Sequence, residues 1–178
     1  ISPEPVLSAG DDLDVLVALN REAYDTHRSE VRNGGVVLYN SGDFQLEGDG
    51  HSLGIPVEEL ARETGNPRAA NMVIVGAIAH LVSMPEEYLP DFVAKRFDRG
   101  RAGDAAIIKA NVMALSLGRE RAKESGFSLG RLAPTQKPEV EQILVKGNDV
   151  MALGALAAGL DFFVAYPISP ATAILVFM

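Results

Sequence analysis

The sequence predicts an α/β protein built as two lobes, and three observations carry that prediction. Strand-like runs at 14–19 and 35–39 alternate with amphipathic helical segments, the order of a parallel sheet with covering helices. From residue 71 to residue 124 the pattern turns helical. After a stretch punctuated by Gly130, Pro134 and Pro138, strand, helix and strand begin again.

Taken in order, "DLDVLVALN" (12–20) has a β-rich centre between acidic and polar residues and reads as a buried strand. "REAYDTHRSEV" follows as a short amphipathic helix. "NGG" then turns the chain into "VVLYN", a second buried strand parallel to the first. Residues 41–54 are rich in Gly, Asp and Ser and read as loop. "IPVEELARETG" is a helix with Pro56 near its start and Gly65 past its end. "NMVIVGAIAHLVSM" is apolar nearly all round, so it is expected as a buried helix. "MPEEYLPDFVAKRF" opens with the acidic residues a helix N-terminus favours. "DAAIIKANVMALSLGRERAKES" is the longest helical segment. The expected organisation is a first domain at 1–126, a linker at 127–142 and the start of a second domain at 143–178. The second domain is expected to begin a separate sheet at 143–145. Asn148 is expected to cap its first helix and Gly159 to close it. No internal repeat relates the two parts.

Composition narrows the function classes. The chain has 178 residues, 47% of them hydrophobic, enough for one good core and part of a second domain. It has no cysteine, which removes disulfides, thiolate zinc sites and any iron–sulfur cluster ligated by this chain. That fits a reducing, cytoplasmic setting. A net charge of −8 argues against a general nucleic-acid binder, which needs clustered Lys and Arg. The longest apolar run, 72–84, contains His80 and is too short for a bilayer, which needs roughly 20 residues. With Ile rather than Met first, and an uncapped apolar segment last, the chain reads as a piece of a longer protein.

Several motifs have plain structural readings. "EGDG" (47–50) resembles the start of a thiamine diphosphate and magnesium signature, but no strand leads into it. A flexible acidic turn is the better reading. His27, His51 and His80 are far apart and lack paired ligand spacing, so no metal site is expected. His80 reads as a hydrogen-bonded core residue. "GALAAG" (154–159) lacks GxGxxG spacing, and its glycines read as close helix packing.

The last segment, "FFVAYPISPATAILVFM", is more informative. A strand-like run from Phe162 to Tyr166 leads into Pro167, Ile168, Ser169 and Pro170. Tyr166 and Ser169 each precede a proline, which biases both toward extended backbone. Ser169 is a preferred N-cap residue and Pro170 suits the first helical position. Strand, stiff turn and helix start form a geometry that gathers amides around an anion. The bland reading is that Ser169 only caps a helix.

The stretch "LVKGNDVMALGALAAGLDFFVAYPISPATAILVFM" resembles the opening of the alpha domain of 2-oxoacid:ferredoxin oxidoreductases. There a Gly-Asn-capped helix precedes a Tyr-Pro-Ile-Thr-Pro turn. The earlier "DVLVALNREAY", "NGGVVLYN", "GIPVEELARE" and "NMVIVGAIAHLVSM" resemble the C-terminal two-thirds of the family's gamma domain, in order. Gamma before alpha on one chain resembles the fused alpha subunit of 2-oxoglutarate and broad-range enzymes. The fold implied is a parallel-sheet gamma domain with a helical C-terminal region, followed by the start of a thiamine-diphosphate-binding-type α/β domain.

The resemblance implies oxidative decarboxylation of a 2-oxoacid, 2-oxoglutarate favoured, with acyl transfer to coenzyme A and electrons passed to ferredoxin. It also implies thiamine diphosphate, Mg2+ and an iron–sulfur cluster held mainly by a beta subunit of a hetero-oligomer, with no nucleic-acid or membrane partner. Ser169 falls where the family has the threonine that contacts substrate. Tyr166, Pro167 and Ile168 match the turn beside the cofactor. The resemblance places the family's activating Glu and substrate-binding Arg farther along the alpha domain, beyond Met178, so one edge of a site and no complete catalytic set is expected here. The chain alone is expected to hold neither a cluster nor tightly bound thiamine diphosphate. Two other readings stay open: a Rossmann-type nucleotide binder, although the Gly fingerprint is absent, and a non-catalytic α/β assembly module.

Overall fold

The computed structural model describes residues 10, 12–47, 50–132, 143 and 145–178. The chain divides into two compact units, Ile1–Pro134 and Thr135–Met178. In the first, strands β1 (Leu13–Ala18), β2 (Val31–Asn40) and β3 (Ser52–Ile55) form one parallel sheet in the order β1-β2-β3. Helix α1 (Arg21–His27) follows β1, and α2 (Val57–Glu63) follows β3. Helices α3 (Ala70–Leu81), α4 (Tyr88–Phe97) and α5 (Asp104–Glu124) complete the unit, so its α/β class is the one read from the sequence.

Side-chain alternation along β2 builds two cores. Val36 and Leu38 face a cluster with Leu53, Ile55, Val57 and Val73, while Val37 and Tyr39 join Leu16 and Ala18 on the other face. A parallel strand covered on both sides is apolar at every position, which explains the unbroken "VVLY" run. Burying each Val or Leu completely stabilises the fold by about 2 kcal/mol. Phe127 and Leu129 pack against the first core, and the Leu129 amide donates to the Leu81 carbonyl at 2.8 Å.

Several local expectations are corrected. Asn33, Gly34 and Gly35 do not end in a turn before β2 but lie inside it. The register jumps there, pairing Leu13 with Val31 but Val15 with Val36. Gly34 at φ 82° supplies the left-handed residue that this irregularity needs. The expected 41–54 loop gives way at its end to β3 (Ser52–Ile55), whose Leu53 and Ile55 are buried at alternate positions. Part of the Gly-Asp-Gly motif, residues 48–49, lies outside the described residues.

The second unit carries α6 (Gly147–Ala157) and α7 (Thr172–Phe177). Gly159, at φ 82°, follows the C-terminus of α6 as expected. Asn148 is not the N-cap; Lys146 holds that position, and its amide donates to Asp149 Oδ2 at 3.4 Å. Residues 143 and 145 are not in a strand, and 144 lies outside the described residues. The expected strand at 162–166 is irregular, with Phe162 and Val164 largely exposed. A strand needs an edge to pair with, and the described residues of this unit offer none. The glycines of "GALAAG" do not pack closely: a Cβ on Gly154 or Gly159 would meet nothing within 4 Å.

Candidate functional site

In the second unit the Tyr166–Pro170 turn is exposed and held to α6 by one side chain. Asn148 Nδ2 donates to the Pro170 carbonyl at 3.3 Å, tying the first turn of α6 to the segment that follows Ser169. The residue read as a cap is thus a clamp. Tyr166 and Ile168 are 70% and 50% exposed, so both side chains are available to a ligand or a covering surface.

Ser169 does not cap α7. The helix starts at Thr172, its N-cap is Ala171, and no side chain caps it. The Thr172 amide donates to the Ile168 carbonyl at 2.9 Å, so it is already used within the turn. At six residues α7 is too short to present the anion-favouring terminus read from the sequence. The Ser169 hydroxyl makes no hydrogen bond to a described residue, which leaves its donor and acceptor capacity open.

In the first unit, the C-terminal ends of β2 and β3 meet at Asn40, a buried side chain that sequence reasoning missed. Its Oδ1 accepts from the Gly42 amide at 3.1 Å and the Val57 amide at 3.4 Å, and its Nδ2 donates to Glu58 Oε1 at 3.1 Å. One side chain therefore joins the end of β2 to the start of α2. An Asn followed by Ser-Gly after an apolar run was the available signal, since Asn bonds its own turn. The carboxyl ends of parallel strands are where open α/β sheets take ligands.

His80 is half-buried rather than a core residue, and it makes no hydrogen bond to a described residue. It lines a cavity of about 400 Å3 with Arg119, Lys123 and Ser116. Burial first, then the positive charges of Arg119 and Lys123, push its pKa below the ordinary histidine value. Arg119 Nε pairs with Glu86 at 2.8 Å. Among the described residues no three His, Asp or Glu side chains are grouped to hold a metal ion. No helix among them is long and apolar enough to cross a membrane.

Sequence comparison matches residues 1–121 to the family described as pyruvate ferredoxin/flavodoxin oxidoreductase. The chain belongs to that family. The ketoisovalerate oxidoreductase subunit VorA of Methanothermobacter thermautotrophicus is 37% identical over 129 residues, covering 70% of this chain and 26% of that protein. The 2-oxoglutarate oxidoreductase subunit KorA of Mycobacterium tuberculosis is 27% identical over 208 residues, covering 98% of this chain and 31% of its own length. In structure, the chain is similar to 2-oxoglutarate:ferredoxin oxidoreductase from Magnetococcus marinus, with a TM-score of 0.84 and 31% identity. That match covers 98% of this chain and 31% of that one, whose structure holds 2-oxoglutarate, coenzyme A and succinyl-CoA. A keto/oxoacid ferredoxin oxidoreductase gamma subunit from Geobacter sulfurreducens matches 62% of this chain, with a TM-score of 0.53. The chain thus spans between a quarter and a third of the length of these three relatives.

Proposed function

We propose that this chain forms part of a subunit of a 2-oxoacid:ferredoxin oxidoreductase, with 2-oxoglutarate the favoured substrate. The observation that carries the reading is the likeness to the Magnetococcus enzyme, which runs through both compact units rather than one. The first unit corresponds to a gamma-type domain and the second to the opening of an alpha-type domain. In this reading the acyl group goes to coenzyme A and the electrons go to ferredoxin, within a hetero-oligomer that includes a beta subunit.

The residues present fit one edge of a thiamine diphosphate site. Tyr166, Pro167 and Ile168 offer a partly apolar, exposed wall, and Ser169 offers an unengaged hydroxyl. They do not fit the diphosphate, its Mg2+ or a cluster, since the chain has no cysteine and no grouped acidic ligands among its described residues. Those groups are assigned to the beta subunit. Thiamine diphosphate, when bound, supplies the carbanion chemistry. Ser169 orients the 2-oxoacid by hydrogen bonding its carboxylate or carbonyl oxygen, and Asn148 holds the turn that carries it. Coenzyme A is assigned to the carboxyl end of the β1–β3 sheet beside Asn40, on the general rule for parallel sheets.

The test is reduction of a ferredoxin by the assembled complex, comparing 2-oxoglutarate, pyruvate and 2-oxoisovalerate at equal coenzyme A. The reading expects reduction that requires both a 2-oxoacid and coenzyme A, with the highest kcat/KM for 2-oxoglutarate. Preference for 2-oxoisovalerate would move the substrate to the branched class; no reduction with any of the three would end the reading.

A further inference from the structure

We propose that the cleft between the C-terminus of α2 and the start of α5 binds a phosphate-bearing organic anion through Arg68, Arg99 and Arg101. The cleft is open to solvent, has a volume of about 850 Å3 and lies within the first unit, with Arg68, Arg99 and Arg101 all exposed. Three guanidinium groups line it, against a single carboxylate, Asp104. None of the three forms an ion pair with an acidic side chain among the described residues. On a chain of net charge −8, a concave site with an excess of unpaired arginine is an electrostatic exception.

The backbone here is held in place, so the arginines are not on a loose loop. Asp104 Oδ2 accepts from the Arg99 amide at 2.6 Å and the Arg101 amide at 2.9 Å. Asp98 Oδ1 accepts from the Gly100 amide at 3.0 Å, and Gly100 takes the left-handed φ of 72° that this turn requires. The Arg68 amide is held in the same way by Asn66 Oδ1 at 3.1 Å. Asp104 fixes the main chain at Arg99 and Arg101, and its charge also acts on both arginines, so the lining carries three positive charges against one negative. Planar forks of this kind match phosphate oxygens bidentately, which lysine cannot do.

The rest of the lining selects for more than a bare ion. Phe97 and Ile107 contribute apolar surface, with Ile107 40% exposed. Such a surface suits the flat or aliphatic part of a phosphate ester. A cavity of this size exceeds what inorganic phosphate fills. The inference does not rest on the proposed oxidoreductase activity; it follows from charge and shape alone.

Isothermal titration calorimetry on the full chain at low salt tests it, with inorganic pyrophosphate and adenosine 5′-diphosphate as probes. We expect saturable binding of both, tighter for the nucleotide, and weaker for each as salt rises. The double variant Arg99→Gln/Arg101→Gln should weaken both by about tenfold or more, the equivalent of ~1.4 kcal/mol. Arg121→Gln, on the exposed pair with Glu124, should change neither. Phe97→Ala should remove the nucleotide's advantage while sparing pyrophosphate. Unfolding curves of the variants establish that they fold. No saturable binding of either probe, or binding that the double variant retains, would overturn the proposal. So would a double variant whose only defect is lost association with an acidic protein, since the cleft would then be a docking surface.

Discussion

Gly118 of α5 lies directly against the backbone of Val73 in α3. A Cβ on Gly118 would be driven into the Val73 carbonyl oxygen. The relation is reciprocal, because a Cβ on Gly76 of α3 would strike the Leu115 carbonyl of α5. Each helix therefore gives the other a glycine at the point of closest approach. Backbone leaves no side chain to swing aside, so the two helices must separate to admit any larger residue.

Either Gly76→Ala or Gly118→Ala should accordingly destabilise the first unit by about 2 kcal/mol or more, beyond the gain in helix propensity. Gly154→Ala in α6 is the contrasting case. A Cβ there meets nothing within 4 Å, so the change should stabilise the second unit by ~0.5–1 kcal/mol. Urea unfolding of the three variants separates the two outcomes.

Asn40 predicts a second effect. Asn40→Ala removes an acceptor from two amides, one of them the buried Val57 N–H, and should cost about 2 kcal/mol. Asn40→Asp keeps that acceptor but sets a carboxylate beside Glu58. Its deficit should shrink on acidification, as one of the paired carboxyls takes a proton. Denaturant unfolding at neutral and mildly acidic pH measures both.

Asp104 sets the sign of a pH dependence. Hydrogen bonds from the Arg101 amide, then the Arg99 amide, hold its carboxyl below the ordinary aspartate range. The folded state then favours the ionised form. Its stabilising contribution is complete above the unfolded value, roughly pH 4, and is lost as pH falls through the lower folded pKa. Asp104→Asn should be less stable than the parent at neutral pH, and the gap should close at low pH. Melting temperature against pH for the two proteins gives the comparison.

Much of this fold was legible because its elements are strongly periodic. β1, the apolar half of β2, α2, α3 and α5 each carry an uninterrupted pattern with recognisable ends. β3 was hidden because four residues, two of them Ser and Gly, sit within a turn-rich stretch. Their assignment depends on pairing with β2, which is tertiary information. "NGG" looked like a turn because its glycines do bend the chain, but inside a strand they produce a bulge. At Ser169 the local rules for Ser-Pro favoured a cap, yet α7 starts three residues later at Thr172. The arginine cleft was beyond sequence reading, since residues 66–68 and 97–111 meet only after α3, α4 and α5 have packed.

If the Ser169 hydroxyl orients the 2-oxoacid, as proposed, kcat/KM for 2-oxoglutarate in the assembled complex must depend on it. The parent, Ser169→Ala and Ser169→Thr proteins are compared, with unfolding measured alongside. Since Ser169 caps no helix and is exposed, Ser169→Ala should change stability by no more than about 0.5 kcal/mol. Ser169→Ala should nevertheless lower kcat/KM roughly tenfold or more, about 1.4 kcal/mol of transition-state stabilisation. Ser169→Thr, which keeps the hydroxyl, should retain activity. An unchanged kcat/KM in a fully folded Ser169→Ala complex would contradict the claim.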